Sequence, residues 1–243
     1  MATVKEHYDN VLAEFYSWLY GGYTAGIQAN SDFFKRHGII PSGSAVAVDL
    51  GAGSGFQSIP LAISGFKVIA IDYCGQLLQE LSANDATNSI VTINGDLTGF
   101  TQHATGPVEL ITCMTDTLLH LESKEDVRGL VIKVFNSLEE NGRFIVTFRD
   151  LTHELTGLDR FLPVRSDANT IFTCFLDYQP ETVNVHDLVY HNNGSGWQLH
   201  KSCYPKLRLS SDWLLDCLTT AGLNIVESSN NNGLITIIAQ KKG

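Results

Sequence analysis

Apolar residues recur at helical intervals at the start of the chain. In "VKEHYDNVLAEFYSWLYGGY" Val11, Leu12, Phe15, Trp18 and Leu19 share one face, and two glycines end the run. A second helix is expected to about His37. From there short apolar runs, "SAVAVDL", "KVIAIDY", "SIVTI", "PVELITC" and "GRFIVTF", alternate with "GFQSIPLAISG", "CGQLLQELSANDA" and "KEDVRGLVIKVFNSLEE" at helical period. Such alternation predicts a parallel sheet wrapped by helices, and near-continuous Val, Ile and Leu suit strands covered on both faces. After Phe148 the period becomes two. "NTIFTCFLDYQ", "TVNVHDLVYHN" and "GWQLHKSCY", divided by "QPE" and "NNGSG", predict an antiparallel meander of about three strands. The helix "SSDWLLDCLTTAG" and two strands, "LNIVESS" and "LITIIAQKK", then close the chain across the hairpin "NNNG". The expected organisation is a helical cap over 1–40, an α/β core over 41–149 and 209–243, and an antiparallel β insertion over 150–208 acting as a substrate lid.

Composition narrows the partners. The chain has 243 residues, 44% of them hydrophobic, which suffices for one large body, and its formal charge of −10 repels polyphosphate backbones. Nucleic acid is therefore not expected as a partner. No apolar stretch approaches a membrane span and the start has no cleavable hydrophobic block, so a soluble, cytoplasmic protein without membrane contact is expected. The five cysteines, Cys74, Cys113, Cys174, Cys203 and Cys217, are scattered without C-x-x-C spacing, and the eight histidines show no ligand spacing. Neither a disulfide framework nor a metal is expected, and the oligomeric state stays open.

The chemistry concentrates in "VDLGAGSGF", residues 48 to 56. A strand that turns directly into a helix brings backbone N–H groups and the positive helix end to one place, and Gly51, Gly53 and Gly55 clear side chains from it. The dinucleotide fingerprint would put its third glycine at position 56, which is Phe56. Asp49 beside the turn repels a diphosphate but suits an ammonium or sulfonium group. Asp72 closes the second strand, where a carboxylate accepts both hydroxyls of a ribose. Asp96, after the third, can accept from an adenine amino group.

In this order "VDLGAGSGF", "IAIDY", "NGDL" and "LITCMTDTLLHL" resemble the successive motifs of class I S-adenosylmethionine-dependent methyltransferases, over about 44 to 148 and the terminal helix-strand-strand segment. The resemblance implies a Rossmann-like α/β fold. Its seven-stranded, mostly parallel sheet would have the last strand antiparallel, with the antiparallel insertion following strand five. It implies S-adenosylmethionine as cofactor and S-adenosylhomocysteine as product. Gly51, Ala52 and Gly53 would line the methionine part, Asp72 and Tyr73 the ribose, Asp96 and Leu97 the adenine, and the backbone at Cys113 and Met114 the amino acid end. An N-terminal segment covers the cofactor in such proteins, which makes Tyr16 and Tyr20, one turn apart, candidate contacts.

The acceptor is expected to be a small molecule with a nitrogen or oxygen nucleophile, methylated by in-line displacement. Asp116 and His120 in "TDTLLHL", and Arg149 at the end of strand five, are candidates for a base or an acceptor contact. Each has a structural alternative: a turn-capping aspartate, a packed histidine, and an ion pair of Arg149 with Asp150 or Asp116. His186, His200, Tyr204 and Arg208 of the insertion would face the acceptor if the meander covers the cleft. After strand four the chain lacks the Asn- or Asp-Pro-Pro-aromatic element of proteins that methylate DNA bases or glutamine. The rival readings are an NAD(P)-dependent oxidoreductase and a non-catalytic S-adenosylmethionine-binding protein.

Overall fold

The structure, a computed structural model, describes residues 2–243. An N-terminal helical run comprises α1 (Val4–His7), a π-helical turn (Tyr8–Leu12) and α2 (Ala13–Leu19), followed by α3 (Tyr23–Arg36). The first α/β part contains β1 (Val46–Leu50), α4 (Ser58–Ile63), β2 (Lys67–Asp72), α5 (Gly75–Asn84), β3 (Ile90–Asn94), β4 (Val108–Cys113), α6 (Lys124–Ser137) and β5 (Leu138–Arg149). Four strands follow, β6 (Phe161–Ser166), β7 (Thr170–Tyr178), β8 (Thr182–Asn192) and β9 (Trp197–Leu207). The chain ends in α7 (Ser211–Thr220), β10 (Leu223–Asn231) and β11 (Leu234–Lys241).

Seven strands form one sheet in the order β10-β11-β5-β4-β1-β2-β3. β1 to β5 pair in parallel, while β11 runs antiparallel to both β5 and β10. Alternate residues feed two cores, as the strand period requires. Val48 and Leu50 of β1 pack with Leu130 of α6 and Leu214 of α7. Ala47 packs with Phe34 of α3 and Leu61 of α4 on the other face. The helix starts are chemically set: Ser123 accepts from Asp126 N at α6, and Ser210 accepts from Trp213 N at α7.

β6, β7, β8 and β9 form a separate antiparallel sheet. It has four strands, where the alternation predicted three. The sequence "FLPVRS" of β6 hides its period behind Pro163 and a register shift between Pro163 and Arg165. The N-terminal run also differs from one continuous helix. Its π turn re-aims Tyr8 and the residues before it, so that Val11, Leu12 and Phe15 pack on Phe172 and Val189 of the small sheet. Ala2 N donates to Cys203 O at 2.9 Å, tying the chain's start to β9. Among the described residues no helix is long and apolar enough to cross a membrane.

Candidate active site

The sheet order reverses between β1 and β4, and at such a switch point the loops leaving the carboxyl ends diverge and leave a crevice. A cavity of about 770 Å³ opens there. Gly51 and Gly53 after β1, Asp72 and Tyr73 at the end of β2, Asp96 and Leu97 after β3, and Thr115, Thr117 and His120 after β4 all line it. Val4, Lys5, Tyr8 and Tyr16 contribute from the N-terminal run, and Thr182, Pro205 and Leu207 from the small sheet.

Asp72 is the hub of the glycine turn. Its Oδ2 accepts from Gly53 N and its Oδ1 from Cys74 N, both at 2.8 Å. Each oxygen keeps lone-pair capacity for a ligand. Burial raises the Asp72 carboxyl, against the lowering effect of those two N–H groups. At Gly51 (φ +75°) an added Cβ would lie 2.3 Å from Thr117 Cγ2, so backbone and acceptor-side turn touch directly. At Gly53 (φ +52°) it would meet the Tyr16 ring at 3.3 Å. Tyr8 and Tyr16 are enclosed, and burial pushes both hydroxyls well above 10, so they stay protonated.

Asp49 is not on the cavity. It shares the parity of Ala47, so its side chain points at α4, where Ser58 Oγ donates at 2.6 Å and Thr112 Oγ1 at 2.8 Å. With 1% exposure its carboxyl is pushed up to about 6 by burial, against those hydrogen bonds. Ala52, Cys113 and Met114 are likewise buried off the cavity, and the Met114 carbonyl accepts from Thr117 Oγ1 at 2.8 Å. Tyr20 packs on Phe56, ring centroids 4.9 Å apart, while Tyr16 takes the lining position.

The exit from β4 is strained. Thr115 and Asp116 have φ of 62° and 67°, two successive non-glycine residues in the left-handed region, each costing roughly 1–2 kcal/mol. Opposing bonds hold them. Thr115 N donates to Thr147 Oγ1 at 2.8 Å. Asp116 accepts from Arg149 N and Arg149 Nη1 at 2.8 Å, and from Lys206 Nζ at 2.9 Å. Burial alone would raise the Asp116 carboxyl, but Lys206 and Arg149 hold it well below the usual carboxylate range. Arg149 thus forms the structural ion pair, and neither it nor Asp116 lines the cavity. Lys206, which "SCYPKLRL" gave no reason to single out, completes the cluster from β9.

His120 ends the short 3₁₀ turn Thr117–His120, and its Nε2 has no hydrogen-bond partner. Burial, then the Lys206 charge, pushes the imidazole down to about 3, against the pull of Asp116. An imidazole buried neutral contributes stability above its unfolded value of 6.5, lost as pH falls towards 3. Asp49 works oppositely, its contribution being full below 3.8 and lost as pH rises through about 6. The comparison with His120→Leu isolates the histidine. Urea midpoints at pH 7, 5 and 4 are expected to fall further in the wild type than in the variant. Parallel curves would contradict the buried neutral imidazole.

The insertion's other candidates lie elsewhere. Val183, Val185, Asp187 and Val189 form the buried face of β8, so His186 takes the opposite face, with Nε2 3.6 Å from Cys203 Sγ. His200 meets Phe15 edge-on at 5.6 Å. Tyr204 stacks on His7 at 3.9 Å, and His7 Nε2 lies 3.2 Å from Asp187 without hydrogen-bond alignment. Arg208 ties down loops through the carbonyls of Leu151, Thr152 and Gln179. Sequence reasoning overlooked Tyr8 and His7. Tyr8 precedes Tyr16 by eight residues on the same run, a spacing that would have found it.

Residues 47–142 match the family described as a methyltransferase domain. A glycine/sarcosine N-methyltransferase of Parasynechococcus marenigrum (strain WH8102) is 26% identical over 137 residues, 56% of this chain and 48% of that protein. The chain thus aligns with about half the length of that curated relative. The CcbJ methyltransferase of Streptomyces caelestis superposes with a TM-score of 0.75 at 19% identity, over 98% of this chain and 99% of that one. An amino pentose methyltransferase from Micromonospora echinaspora, CalS10 with S-adenosylmethionine bound, gives 0.73 at 13% identity, over 89% and 92%. The fold is that of S-adenosylmethionine-dependent methyltransferases. The match to the methyltransferase domain is confined to residues 47–142, and the small antiparallel sheet lies beyond the matched segment.

Proposed function

We propose that this chain binds S-adenosylmethionine in the cavity and directs its methyl group to the nitrogen of a small amine that carries no carboxylate beside the nitrogen. The carrying observation is the charge of the lining. Asp72, Asp96, Glu122 and Asp126 face the cavity against one lysine, Lys5, which is itself paired with Asp9. Lys206 and Arg149 are already engaged by Asp116. Such a cavity attracts a sulfonium and an ammonium and disfavours a second carboxylate beyond the cofactor's own.

The residues fit the cofactor. The cradle has no space for a Cβ at Gly51 and little at Gly53, Asp72 offers the acceptor pair a ribose diol needs, and Asp96 faces the cavity while its Oδ1 accepts from Thr98 N. When bound, S-adenosylmethionine supplies an electrophilic methyl group on sulfur. The chain's task is then to align and to exclude water. Tyr8, Tyr16 and the edge of the small sheet at Thr182, Pro205 and Leu207 close the cavity. This makes residues 1–40 a cap and 150–208 a lid on the core of 41–149 and 209–243. His120, held far below neutral, does not carry off a proton at pH 7. Its free Nε2 lone pair instead accepts an N–H of the amine and aims the nitrogen, so the acceptor, having given its proton to water before the cavity closes, reacts as the free amine and leaves as the methylated ammonium.

A cytoplasmic setting belongs to the same reading and is supported by five free cysteines. A glycine-type acceptor is the second reading. The named relative favours it, as does Arg149, 61% exposed at its side chain beyond its bond to Asp116. Release of S-adenosylhomocysteine with glucosamine, glycine and sarcosine as acceptors separates the two. The amino sugar is expected to exceed the amino acids at least tenfold in kcat/KM. A preference for glycine or sarcosine would transfer the acceptor role to Arg149.

A further inference from the structure

Two residues in the left-handed region do not persist at the end of a strand unless their surroundings over-determine them. Thr115 and Asp116 occupy that region immediately before the turn that carries His120 into the cavity. The turn depends on Asp116 directly, because Leu119 N donates to Asp116 O at 2.9 Å. Two of the groups fixing Asp116 come from Arg149, at the end of the neighbouring strand. The third comes from the other sheet: Lys206 of β9, with a side chain 14% exposed.

The placement of Lys206 is specific. It pairs with Val183 in register, so it shares the buried face of the small sheet with Tyr204, while its chain neighbours Pro205 and Leu207 reach the cavity wall. Its ammonium meets a carboxylate already paired with Arg149, whose side chain is 61% exposed, so Lys206 is the enclosed cation of the pair. Its charge lies close enough to act on His120. From the N-terminal run His7 and Tyr8 face the same imidazole, from β9 Tyr204 and Lys206, and from its own turn Asp116. Lys206 is the one permanently cationic group among them.

We propose that Lys206 is a positioning residue for methyl transfer, acting through Asp116 to fix the strained exit of β4 and to present His120 to the acceptor as a neutral hydrogen-bond acceptor. The small sheet does more than cover the cavity, because seating β9 and forming the acceptor-side turn become one event. The inference rests on His120 facing the acceptor, as proposed above. The test uses no acceptor, so its failure is distinct from a failure of that reading.

Lys206→Met removes the charge at nearly constant length, and Lys206→Arg retains it. Hydrogen–deuterium exchange of the full chain, read by mass spectrometry, is expected to quicken at least tenfold over residues 115–120 in K206M and to stay unchanged in β1 to β3. The His120 Hε1 resonance, assigned by its loss in His120→Gln, is expected to titrate at least one pH unit higher in K206M, since a nearby positive charge disfavours the imidazolium. K206R is expected to restore both. Methionine preserves the packing of the lysine stem, so a packing role alone would leave K206M like the wild type in both readouts. Unchanged exchange and titration in K206M, or an arginine variant as perturbed as the methionine one, would overturn the proposal. If K206M does not fold, Lys206→Gln takes its place with the same outcomes.

Discussion

Asp72→Ala is expected to weaken binding of S-adenosylmethionine and S-adenosylhomocysteine by one to two orders of magnitude in a folded protein. Two losses combine. The ligand loses a charged double acceptor, worth about 1.5–3 kcal/mol for hydrogen bonds to an ionised group. The glycine turn also loses its anchor, because Asp72 is what receives the N–H groups of Gly53 and Cys74. Asp72→Asn separates the two: one amide oxygen still accepts, while the NH₂ opposes whichever N–H it faces. Affinity is therefore expected to fall in the order wild type, asparagine, alanine, measured by calorimetry, with NAD(H) as the control ligand. Equal affinity across the series would make Asp72 purely structural. Binding of NAD(H) in preference to S-adenosylmethionine would restore the oxidoreductase reading.

The contrast between Asp72 and Asp49 shows what a sequence does and does not disclose about such a site. Both close an apolar strand ahead of a turn, and both read as carboxylates at the cofactor's edge. Asp72 is the last residue of β2 and projects past the sheet, whereas Asp49 is followed by Leu50 and still obeys the strand's alternation. Parity sends it to Ser58. The same parity was available for the insertion. Val183, Val185 and Val189 mark the inward face of β8, so His186, one position out of phase, could have been assigned outward from the pattern alone. Lys206 could not, because its partner is ninety positions away and the pairing depends on how the two sheets meet. The seven strands were legible for the opposite reason. Burial of β1, β4 and β5 on both faces demands apolar runs too regular to miss, while β6, exposed and interrupted by Pro163, demands almost nothing.

Gly51→Ala should have the largest effect of any methyl-sized change in the cavity. The new Cβ would stand 2.3 Å from Thr117 Cγ2 and 2.5 Å from Thr117 Oγ1, well inside van der Waals contact. Thr117 has little freedom to retreat, since its hydroxyl donates to the Met114 carbonyl and its chain neighbour Asp116 is fixed by Arg149 and Lys206. Overpacking of this kind costs about 1–3 kcal/mol, and a side chain at φ +75° adds roughly 1–2 kcal/mol. The expected result is a lower unfolding midpoint together with at least a tenfold loss of S-adenosylhomocysteine affinity, because the strain falls on the turn that would carry the cofactor. Gly53→Ala, whose Cβ meets only the Tyr16 ring at 3.3 Å, should be the milder of the two. The double variant Gly51→Ala/Thr117→Gly removes the opposing atoms and should recover the overpacking share but not the backbone share. If the double variant is no better than Gly51→Ala alone, the turn after β1 and the turn after β4 do not press on one another, and the link between cofactor and acceptor ends of the cavity fails.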